Sequence, residues 1–172
     1  MILSEFRAFA GVIIMNVIGE FSITDSVVDF TTSPELYGAR HIASTVINGT
    51  TYLYVSGRSD DGIQILTIDS DGVMSADGYI QNGGSNLLNG PGELRIVHVG
   101  NKQFLLVPSI DSDAVNSFQI STTTGTEGQL SFVDSVVNGT DPLDGVYRME
   151  SFTTPNGSFI AVSAENSDAV ST

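Results

Sequence analysis

The sequence predicts an all-β chain built from β-propeller blades. Three observations carry this. Short apolar runs end in Gly- and Asp-containing turns about every 8 to 12 residues, the spacing of all-β folds. A G-x-Φ-S motif (Φ apolar) and a D-[GA]-[IV] motif return along the chain at nearly the same step. Each period of about 54 residues holds four short strands, here a to d, which is the signature of a propeller blade. A β-sandwich would also give short strands, but would not repeat both motifs in step.

The first eighteen residues, Met1 to Ile18, differ from the rest. Their apolar run from Ala8 to Ile18 is short for a membrane-spanning helix. No basic residue precedes Arg7, and no small-x-small cleavage site follows, so a secretory leader is disfavoured. Gly11-Val12-Ile13-Ile14-Met15-Asn16-Val17 aligns with Gly62-Ile63-Gln64-Ile65-Leu66-Thr67-Ile68, so the segment is read as a strand. The next strand gives the clearest match. Gly19-Glu20-Phe21-Ser22 followed by Asp25-Ser26-Val27-Val28 repeats as Gly128-Gln129-Leu130-Ser131 followed by Asp134-Ser135-Val136-Val137. Gly72-Val73-Met74-Ser75 is a fainter copy, and the three glycines stand 53 and 56 residues apart.

Asp61-Gly62-Ile63, Asp113-Ala114-Val115 and Asp168-Ala169-Val170 follow each other at 52 and 55 residues. The apolar b strands are Tyr52-Leu53-Tyr54-Val55-Ser56, Phe104-Leu105-Leu106-Val107-Pro108 and Phe159-Ile160-Ala161-Val162-Ser163. The a strands before them run from Arg40 to Ile47, Leu94 to Val99 and Tyr147 to Thr154. Residues 1–37 are then a partial blade (strands c and d) with its linker. Residues 38–89 and 90–144 are whole blades, and 145–172 hold strands a, b and the start of c. That is about three blades, whereas propellers have at least four. The expectation is an incomplete or fragmentary ring, completed by further blades of the same or another chain, with exposed strand edges that promote association.

Composition narrows the function classes. Six basic residues against twenty acidic ones give a net charge of −14, which argues against nucleic acid and against anionic membrane surfaces. The absence of cysteine removes disulfides, thiolate metal sites and Cys nucleophiles. Acidity of this degree suits a soluble, secreted or surface protein in a salty or calcium-containing exterior. Asn48-Gly49-Thr50, Asn138-Gly139-Thr140 and Asn156-Gly157-Ser158 match the glycosylation sequon, but their Asn-Gly pairs are already explained as turns.

The blade pattern, aromatic-L-x-V-[SA], then D-[DA]-[GV]-[IV], then D-G-x-L, resembles the lactonase-type seven-bladed propellers, the 6-phosphogluconolactonase-like and YVTN-repeat group. It also resembles propeller repeats of large secreted bacterial proteins, where such Asp turns recur beside calcium-binding repeats. Where the literal YVTN would stand, this chain has Tyr54-Val55-Ser56-Gly57. The resemblance implies a propeller fold and, for the lactonase group, hydrolysis of a sugar lactone.

Candidate site residues gather at the start of the a strands. Gly38-Ala39-Arg40, Gly92-Glu93-Leu94-Arg95 and Gly145-Val146-Tyr147-Arg148 place three of the six basic residues at equivalent points of the repeat. His41 lies beside them, as do Glu93 and Glu150. Arg40, His41, Glu93, Arg95 and Arg148 therefore form a candidate channel site for a small anionic or sugar ligand, with His41 or Glu93 as a general base if the chain is an enzyme. The competing reading is that these ions tie blade to blade. Asp60, Asp61, Asp111 and Asp113 at the b–c turns are candidate Ca²⁺ ligands, or simply turn residues bonding nearby backbone. Asp69-Ser70-Asp71-Gly72 starts like an EF-hand loop, but the twelfth position is Ile80 and the stretch reads as a hairpin. Three functions follow: a non-enzymatic scaffold or binding segment of a secreted or surface protein, a lactonase-like hydrolase, or a self-assembling propeller unit.

Overall fold

A computed structural model describes residues 10–15, 21–28, 35–139 and 142–172. Its strands are β1 (Ala10–Met15), β2 (Phe21–Val27), β3 (Ala39–Ile47), β4 (Thr50–Gly57), β5 (Gly62–Ile68), β6 (Met74–Gln81), β7 (Arg95–Val99), β8 (Lys102–Ser109), β9 (Ala114–Ile120), β10 (Leu130–Val137), β11 (Val146–Thr154), β12 (Gly157–Ala164) and β13 (Ala169–Ser171). One 3-10 turn, Ile110–Ser112, interrupts them. Every pairing is antiparallel and joins neighbours in sequence: β1-β2, β3-β4-β5-β6, β7-β8-β9-β10 and β11-β12-β13. These are the meandering sheets that the repeat predicts. The strand expected within Met1 to Ile18 is β1; the rest of that segment lies outside the described residues, as do the linker residues 29–34.

Local sequence explains the hairpins. Asn48 and Gly49 both adopt positive φ (50° and 85°), so the β3–β4 turn has the handedness that matches strand twist. In β4 a continuous run is buried from Tyr52 to Gly57, rather than every second residue. A middle strand packed between two neighbouring sheets needs apolar side chains on both faces.

Three apolar clusters cement the stack. Tyr52, Tyr54, Ile63 and Ile65 meet Leu94, Leu105, Val107, Phe118 and Ile120 between the β3–β6 and β7–β10 sheets. Leu36, Leu53, Val55, Leu66 and Met74 pack on the opposite face of β4 and β5, with Val27 of β2 against them. Leu143, Val146, Met149, Val162 and Ala164 join the last sheet to Leu106 and Val115. Each fully buried Leu, Ile or Phe contributes about 1.5–3 kcal/mol.

Within the first cluster the Tyr54 hydroxyl donates to the Gly128 carbonyl at 2.9 Å, and burial holds its phenol well above the usual pKa. Gly128 (φ 75°) lies directly against the Tyr52 ring, where a Cβ would overlap it. This explains the repeated Gly of the G-x-Φ-S motif at this position: it turns the chain and admits a neighbouring tyrosine. Gly128→Ala is therefore expected to lower the unfolding free energy by about 1–3 kcal/mol through overpacking and the strained φ. A urea melt should show the lower midpoint with an unchanged slope.

Candidate functional site

The site is built on a corner that repeats three times. Leu36-Tyr37-Gly38, Leu88-Asn89-Gly90 and Leu143-Asp144-Gly145 share a buried leucine and a left-handed glycine, with φ of 73°, 65° and 71°. Each glycine carbonyl accepts an N–H from the following b–c turn: Arg58 at 3.2 Å, Ile110 at 3.0 Å and Glu165 at 3.2 Å. The central residue of each corner donates its N–H to a side chain of the same turn. Asp60 Oδ2 takes that of Tyr37 at 2.7 Å, Ser112 Oγ that of Asn89 at 3.2 Å, and Ser167 Oγ that of Asp144 at 3.1 Å.

The aspartates of the D-[GA]-[IV] motif join one sheet to the next. Asp61, Asp113 and Asp168 all adopt left-handed φ, at 57°, 51° and 51°. Asp61 Oδ1 accepts the Gly90 N–H and Asp113 Oδ1 the Gly145 N–H, both at 2.8 Å. Asp111 stands at a different register position and faces Arg58 at 3.9 Å, both side chains well exposed. The four residues singled out for Ca²⁺ thus occupy three distinct places. Among the described residues no group of three or more His, Asp or Glu is arranged to hold a metal ion.

This corner corrects the repeat alignment. The residue equivalent to Gly38 and Gly145 is Gly90, two residues before the Gly92 chosen from sequence. Arg40, Arg95 and Arg148 are therefore not equivalent. Pairing confirms the shift: His41 lies opposite Ser56, Arg148 opposite Ser163 and Arg95 opposite Leu106. His41, Glu93 and Arg148 share one register position on successive inner strands. Arg40, Gly92 and Tyr147 share the position before it, where β3 and β11 each carry a one-residue bulge.

The shared position latches sheet to sheet. His41 Nδ1 accepts the Leu94 N–H at 3.1 Å, and Glu93 Oε2 accepts the Met149 N–H, also at 3.1 Å. Glu93 Oε1 and Glu150 Oε2 both take Arg95 Nη2, at 3.0 and 2.7 Å. The third member, Arg148, has only donors. Its Cζ lies 5.0 Å from the Tyr147 ring centroid, and Arg40 Cζ lies 4.8 Å from the same centroid. Tyr147 reaches Arg40 by crossing the middle sheet at Gly92, where a Cβ would come within 2.8 Å of the ring. Among the described residues no carboxylate reaches ion-pair distance of Arg40 or Arg148.

All five residues predicted for the channel site are thus brought together, but in two roles. His41, Glu93 and Arg95 are spent on joins between sheets, whereas Arg40 and Arg148 both lie over one aromatic ring. Tyr147 and Gly92 were absent from the predicted set. The L-x-G corner was the signal that could have found them, because it sets both in register with Arg40. Burial holds the His41 pKa below its ordinary value; Glu93 pulls upward, and Arg148 and Arg95 push further down.

No protein-family model and no curated protein matches this chain. Solved structures do. A protein from Lactobacillus plantarum superimposes with a TM-score of 0.59 at 18% identity, over 91% of this chain and 44% of its own. A Bacteroides uniformis protein named as a putative 6-phosphogluconolactonase superimposes with a TM-score of 0.65 at 15% identity, over the same shares. The chain shares the β-propeller fold of these two proteins. It spans less than half the length of these two propellers. Identity this low carries the fold alone.

Two outcomes follow from the joins. Asp113→Ala is expected to cost about 1–2 kcal/mol, because it removes a half-buried acceptor and a residue tolerant of left-handed φ. Asp113→Asn keeps both and should stay close to wild type in a thermal melt. For His41, the unfolded chain binds a proton with a pKa of about 6.5 and the folded chain more weakly, so stability falls as pH drops through that window. His41→Asn, which keeps an acceptor near the Nδ1 position, should flatten that part of the stability–pH curve.

Proposed function

We propose that this chain is a non-enzymatic, ligand-binding segment of a β-propeller, and that it holds a small carboxylate- or phosphate-bearing molecule on the Arg40–Tyr147–Arg148 platform. The observation that carries the reading is the pair of exposed guanidinium groups on one half-buried ring, without carboxylate partners among the described residues, in a chain of net charge −14. Cation–π contact with Tyr147 holds both guanidinium groups while leaving donors for an oxyanion. The groups that would serve as a base are already acceptors for backbone N–H, which favours binding over catalysis. An extracellular or cell-surface setting fits the acidity; fractionation that finds the chain only in the cytosol overturns that placement.

A second reading, lactone hydrolysis, is favoured by the name of the Bacteroides uniformis protein and by an imidazole whose pKa is lowered by burial and by nearby arginines.

Calorimetric titration with sulfate and with a neutral sugar tests the first reading. Arg40→Ala and Arg148→Ala should each weaken sulfate binding about tenfold, as expected for losing a charge-assisted bond. Gly92→Ala should do the same by displacing Tyr147. Absence of sulfate binding, or indifference to both arginines, removes the platform. Turnover of sugar lactones that falls with Arg148→Ala but not with Asp113→Asn would put hydrolysis in its place.

A further inference from the structure

We propose that anion binding at the platform is coupled to protonation of His41, so that ligand and proton are taken up together. The inference rests on the anion-binding reading above and concerns the regulation of that same site.

The geometry puts one titratable latch beside the ligand's arginines. His41 follows Arg40 in sequence and shares a register position with Arg148. The start of β7 and the residues leading into it present Arg95 and Glu93 to it, β11 presents Arg148, and its own strand carries Arg40. Its Nδ1 is occupied by the Leu94 N–H, two residues beyond the Gly92 on which Tyr147 lies. A proton added to neutral imidazole must land on an acceptor nitrogen. Nδ1 is the one that accepts Leu94, so protonation trades that bond for a positive charge.

The balance changes when an anion arrives. In the free protein, burial and the fields of Arg148 and Arg95 disfavour imidazolium. Glu93 favours it, but both its oxygens are already engaged by Arg95 and by the Met149 N–H. An anion bound by Arg40 and Arg148 offsets the repulsion from Arg148 and adds attraction of its own. What is given up is one neutral hydrogen bond; what is gained is a charge pair in a partly buried setting. By linkage, the anion raises the affinity of His41 for the proton by the same factor that the proton raises affinity for the anion.

Sulfate is a suitable probe because it does not titrate in this range. Calorimetry in two buffers of unlike ionisation heat, at about pH 6, should show proton uptake by the wild type on binding. Affinity should fall about fivefold or more between pH 6 and 8. His41→Asn should bind sulfate with no proton uptake and a flat pH profile, its near-UV dichroism matching wild type. An NMR titration of the His41 imidazole should show its pKa rising when sulfate is added. Sulfate binding without proton exchange, or exchange that persists in His41→Asn, overturns the coupling and leaves the platform standing. Absence of sulfate binding at both pH values overturns the platform and the coupling with it.

Discussion

An aspartate carboxylate accepting one backbone N–H from the next sheet is the interaction on which this structure depends. Asp61 and Asp113 each hold a left-handed turn and reach the glycine that opens the following inner strand. Apolar burial favours stacking of the sheets, but it is tolerant of sliding. The carboxylate–amide bond, directional and charge-assisted, fixes where each inner strand begins. Glu93 and Arg95 follow Gly90 within a few positions, and Tyr147 and Arg148 follow Gly145.

From that constraint the division of labour at the site follows. With the starts of the inner strands set in register, one side-chain position meets the backbone of the next sheet from β3 and again from the residues leading into β7. Where it holds an acceptor, as in His41 and Glu93, it closes the gap. Where it holds Arg148, no acceptor is available and the guanidinium turns to Tyr147. The neighbouring position works by size. Gly92 in the middle sheet leaves room for the Tyr147 ring to reach Arg40 two sheets away. The platform therefore comes from a break in the repeat, not from the repeat itself.

The strands and their grouping were legible because turns need Gly and Asp at fixed places and buried strands need apolar runs. The residues of the site were legible as a cluster, since all five predicted side chains converge. Their register was not. Gly90-Pro91-Gly92 offers two glycines, and only backbone conformation shows that Gly90 carries the left-handed turn. The equivalent positions also vary too widely to make a motif: Arg, Gly and Tyr at one, His, Glu and Arg at the next. The b–c aspartates have the composition of a calcium site, and only the hydrogen bonds of Asp61 and Asp113 show that these two also serve as joints.

The tyrosines at the sheet contacts have an optical consequence. The chain contains five tyrosines and no tryptophan, so its ultraviolet emission and near-ultraviolet dichroism come chiefly from phenol rings. Tyr52 and Tyr54 sit between the second and third sheets, and Tyr147 spans from the last sheet over Gly92. Three of the five chromophores thus lie at joints rather than within sheets. A loosening between blades would alter the spectrum even if every strand kept its partners.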